Sequence, residues 1–71
     1  MFTDKNIAMK VLETMDEVTM FMNQSLFDIR MECLENEFNE YRVAVGGVMA
    51  EIYIRVRAKI YERFPDLEPQ A

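Results

Sequence analysis

The side chains of this 71-residue chain that could do chemistry are thirteen carboxylates, eight basic groups and one cysteine, with no histidine among them. The densest acidic run is Asp28, Glu32, Glu35, Glu37 and Glu40. Helical bundles that hold two metal ions combine inward-facing glutamates with Glu-x-x-His pairs. Without histidine that set cannot be assembled, and a structural zinc site also lacks a second thiolate. General acid–base chemistry needs carboxyl groups facing a cleft, whereas these fall on the polar side of a helical pattern. Cys33 has neither a histidine nor a helix start beside it to make it a nucleophile. Its spacing from Ile29 places it on an apolar stripe instead, as a buried and inert thiol. No catalytic, cofactor-binding or metal-binding residue is therefore assigned, and an enzyme is the class the sequence argues against.

The basic groups are patterned. Arg55, Lys59 and Arg63 recur every four residues, with Arg57 beside them and Tyr53, Tyr61 and Phe64 interleaved. Such a stripe is one footprint of nucleic-acid binding, and these four cations form a candidate basic surface. Against it stand a net charge of −5 and the lack of any helix-turn-helix pattern. Residues 1–40 hold three basic side chains against nine acidic ones, and residues 41–64 hold five against two. An acidic arm is followed by a basic arm, and charge complementarity lays the two against each other. An inhibitor that mimics DNA through the acidic arm is the alternative reading of the same asymmetry.

The elements that must position these groups are helices. In the first arm Ile7, Val11, Met15, Val18, Met22, Leu26, Ile29 and Cys33 recur at steps of three and four, one face of an amphipathic helix. In the second, Tyr41, Val45, Val48, Ile52, Val56, Ile60 and Phe64 do the same. Thr3 or Asp4 can cap the first helix and Pro65 stops the second. Ser25 with Asp28 three residues on resembles a helix start, which would give a short three-helix bundle. With no Gly or Pro nearby, a continuous helix is expected. A turn around Asn36 gives arms of similar length. A turn at Gly46-Gly47 would leave much of the first stripe uncovered and interrupt a phase that runs straight across the glycines. The Asn36 turn is therefore expected. The alternation at Ile52, Ile54 and Val56 is too short to argue a strand.

A chain this short, with no disulfide or metal, has little stability to spare unless it associates. The first arm carries a second apolar set, Leu12, Met20, Phe27, Met31 and Leu34, while Ala44, Gly46, Gly47 and Ala50 make a flat patch suited to close helix approach. A hairpin can cover only one stripe per helix, so these nine residues are candidate helix–helix or dimer contacts. Seven methionines suit adaptable packing. The expectation is an all-α helical hairpin forming one domain over 1–64, with a frayed tail over 65–71, that pairs with its copy into a four-helix bundle. Its expected role is a non-catalytic protein–protein interaction module without a cofactor. Its expected partners are itself and another protein, with no membrane contact and nucleic acid disfavoured. A lone thiol and the absence of a basic-then-apolar leader point to the cytoplasm.

Overall fold

The computed structural model describes residues 1–70. Helix α1 runs Lys5–Ile29, and Asp4 caps it by accepting the Asn6 backbone N–H at 2.8 Å. It passes through Asn23, Gln24 and Ser25 unbroken. Ser25 donates its hydroxyl back to the Met22 carbonyl at 2.6 Å instead of capping a new helix, an interaction that bends helices slightly without ending them. The chain reverses at Arg30, Met31, Glu32 and Cys33, where the Glu32 N–H reaches the Ile29 carbonyl at 2.9 Å. Helix α2 is Glu35–Ile52. Leu34 is its N-cap, and the Glu37 side chain reaches back to accept the Leu34 N–H at 3.0 Å. Asn36 therefore lies in the first turn of α2, just after the reversal it was expected to centre.

The second arm continues without a loop. Residues Tyr53–Arg57 form one π-helical turn, in which the Ala58 N–H bonds the Tyr53 carbonyl five residues back, and α3 follows over Ala58–Arg63. Phe64 leaves the helix at φ −129° and ψ 76°, and Pro65 opens a 3₁₀ turn over Pro65–Leu67. Order thus extends past the expected boundary at Phe64. Leu67 is half-buried and Asp66 is ion-paired to Lys5. Ala71, the end of the expected tail, lies outside the described residues.

The two arms pack antiparallel into a rod of 46 × 21 × 17 Å. Among the described residues its seam buries only Ala8, Val45, Ile60 and Tyr61, flanked by half-buried residues such as Leu12, Met15, Leu26, Met49 and Ile52. Most of both expected stripes line this seam, with Val45 and Ile60 buried and Val11, Met15, Met22, Leu26, Ile52 and Val56 half-buried, but the seam is offset at their edges. Ile7, Val18, Tyr41 and Val48 are 47 %, 36 %, 37 % and 45 % exposed, while Ala8, Thr19 and Met49 turn inward. Each helix carries an apolar arc wider than one partner helix can cover, and the partner lies over one edge of it.

Within the single chain, most of the candidate helix–helix or dimer contacts lie outside the seam, and Cys33 is displaced from its expected stripe. Gly46 and Gly47 do lie inside α2, but a β-carbon added at either would meet nothing within 4 Å. Ala44 and Ala50 are also exposed. Met20, Phe27, Met31 and Leu34 are likewise 58–92 % exposed, so of the nine candidate contacts only Leu12 enters the seam. Cys33 sits in the reversal rather than on the helical stripe and is half-buried.

Candidate interaction surface

One long side of the hairpin is clasped by charge. Arg57 extends across the seam to Asp16 at 2.9 Å and approaches the Thr19 hydroxyl at 3.4 Å. Burial works against its charge, but Asp16 and Tyr61 outweigh this and hold the guanidinium's pKa above its ordinary value. Arg57 closes the π turn, three and four residues before the buried Ile60 and Tyr61, and so lies on the same face as both. At the open end Lys5 pairs with Asp66, and Lys5 holds that carboxyl below the usual aspartate range. Lys5 and Asp16 are eleven residues apart, three helical turns, and therefore share this flank of α1.

The opposite side carries no such clasp. Ser25 has spent its one proton on Met22, so the Tyr41 hydroxyl donates to Ser25 Oγ at 2.7 Å. This bond fixes which flanks of the two arms lie together. From Ser25 the α1 flank runs back through Phe21, Val18, Thr14, Val11 and Ile7, and from Tyr41 the α2 flank runs through Ala44 and Val48. Every one of these residues is uncharged, and Phe21 is 67 % exposed. Phe21 is the large exposed apolar side chain of this flank that the sequence reading did not single out. Its signal was available in the alternating steps of four and three from Ile7 to Ser25, the strict repeat of a helix that packs on another helix.

The candidate basic surface is divided by the fold. Arg55 pairs with Glu51 one turn earlier and Arg57 is committed to Asp16, while Lys59 is exposed and Arg63 stands 5.9 Å over the Phe64 ring. Near the reversal, Asn23, Leu26, Phe27, Arg30 and Phe38 line an open groove of about 380 Å³, with Arg30 6.0 Å over the Phe38 ring. Among the described residues no three acidic or thiol groups converge as a metal set, and no helix is long and apolar enough to cross a membrane.

Comparison with protein-family models, curated proteins and solved structures found no match to this chain.

Proposed function

We propose that this protein is a non-catalytic protein–protein interaction module, an adaptor, regulator or assembly factor, that works as a homodimeric four-helix bundle. The supporting observation is surface area. The chain exposes 5619 Å², whereas the scaling for folded monomers gives about 4,600 Å² at this mass. The excess of about 1,000 Å² per chain compares with the roughly 800 Å² that each partner buries in a standard interface. The exposed side chains include Phe21, Phe27, Met31 and Leu34, a larger apolar area than soluble monomers ordinarily leave open.

Pairing through the uncharged side leaves the groove at Phe27, Arg30 and Phe38 outside, free for another protein. A lone thiol suits a reducing cytoplasm as the place of action. Nucleic acid is the weaker partner, because two of the four cations are already matched within the chain. The test is thermal unfolding at graded protein concentrations. An obligate dimer melts at a higher temperature as concentration rises. A melting temperature constant across a hundredfold range rejects self-association.

A further inference from the structure

The charges around the uncharged side specify how two copies face each other, an inference that rests on the self-association proposed above. Phe21, Val18 and Ile7 from α1 and Tyr41 and Val48 from α2 form that side, each 36–67 % exposed. Apart from Glu17, exposed near the middle of α1, its rim is polarised along the rod. Asp28, Glu37 and Glu40 are exposed near the reversal, whereas Lys10, Lys59 and Arg63 are exposed near the open end. Lys10 makes no ion pair among the described residues, and Asp28 accepts only the Gln24 amide. Lys10 and Asp28 are eighteen residues apart, five full turns, and so project from α1 in the same direction.

A closed two-fold pair can form in two ways. With the hairpins parallel, α1 faces the second arm of the copy at the same level. Lys10 then meets the basic stretch around Lys59, and Asp28 meets Glu37 and Glu40. Like charges oppose each other at both ends. With the hairpins antiparallel, α1 faces α1 and the second arm faces the second arm. A two-fold axis near the middle of α1 then sets Lys10 against Asp28 of the partner subunit, and Glu37 near Lys59 of the partner subunit. Opposite charges meet at all four corners. We propose that two copies of this chain associate antiparallel through the Phe21–Val18–Tyr41 side, with Lys10 and Asp28 pairing across the two-fold axis.

The sole cysteine provides the measurement, since Cys33 marks the reversal end of each hairpin. A nitroxide on Cys33 reports the separation of the two reversals by pulsed electron resonance. The antiparallel pair predicts a separation approaching the 46 Å rod length. A parallel pair, with helices 8–10 Å apart, predicts less than about 20 Å and overturns the orientation while leaving self-association intact. Because Cys33 is half-buried, the same measurement on Cys33→Ser with Glu32→Cys, at an exposed position, guards against perturbation by the label. Charge reversal gives a second reading. Lys10→Asp and Asp28→Lys are each expected to weaken association, and the double reversal to restore it. Stronger association of either single variant overturns the pairing. Phe21→Glu is expected to weaken association by more than roughly tenfold, since it places a carboxylate in the buried interface. Unchanged association of Phe21→Glu rejects this side, and a monomeric wild-type chain rejects both proposals.

Discussion

The Arg57 side chain keeps 17 % of its surface in water and that of its partner Asp16 keeps 72 %, so their attraction is heavily screened. Exposed pairs couple by 0.2–1 kcal/mol, and a double-mutant cycle with Arg57→Met and Asp16→Asn should measure about 0.5–1 kcal/mol by urea unfolding. That coupling should shrink as salt is raised from 0.01 to 1 M on the scale of the Debye length. A coupling of zero at low salt would remove Arg57 as a clasp of the seam. Asp66 offers a pH test. Its folded pKa is lowered by Lys5, so its contribution is fully present above the ordinary aspartate value and is lost as pH falls through the lowered one. The Leu67 methyl resonances should shift toward unfolded positions below about pH 4. The same resonances in Asp66→Asn should already be shifted at neutral pH. Cys33 shows the limit of periodicity as a guide. Its four-residue step from Ile29 continued the stripe, but the helix had already ended, because Arg30, Met31, Glu32 and Cys33 form the reversal.

The two helical arms, the cap at Asp4 and the continuity through Ser25 were readable from apolar spacing and residue type, since those signals are local. That Ile7, Val18, Tyr41 and Val48 stay exposed was not, because it depends on which edge of a wide apolar arc the partner helix covers. The π turn left a trace that averaging concealed. Ile52, Val56, Ile60 and Phe64 are separated by three consecutive steps of four, a drift of about 120° from an α-helix that one underwound turn largely absorbs. Gly46 and Gly47 yield a prediction at this scale. Both have negative φ and open space at the added β-carbon. Gly46→Ala and Gly47→Ala should each stabilise the protein by about 0.5–1 kcal/mol, through higher helix propensity and a more restricted unfolded state. The gain should appear as a shift of several degrees in melting temperature for a domain of this size. A loss of stability in either variant would place another backbone against α2 in the associated state.

At the scale of the whole molecule, four buried side chains and a thin rod are little to oppose the conformational entropy of some seventy ordered residues. In the proposed pair, a second copy supplies what the chain lacks. The surplus of apolar positions over what one hairpin can bury was legible in the sequence, from chain length and spacing. The uncharged side itself was not, because the spacing alone could not show that Tyr41 and Ser25 join the two flanks. The most direct measurement is the mass in solution by light scattering coupled to size exclusion at tens of micromolar protein. Twice the chain mass of 8.4 kDa, with full helicity, is the result expected of the paired bundle. A mass of 8.4 kDa with the same helicity would contradict it.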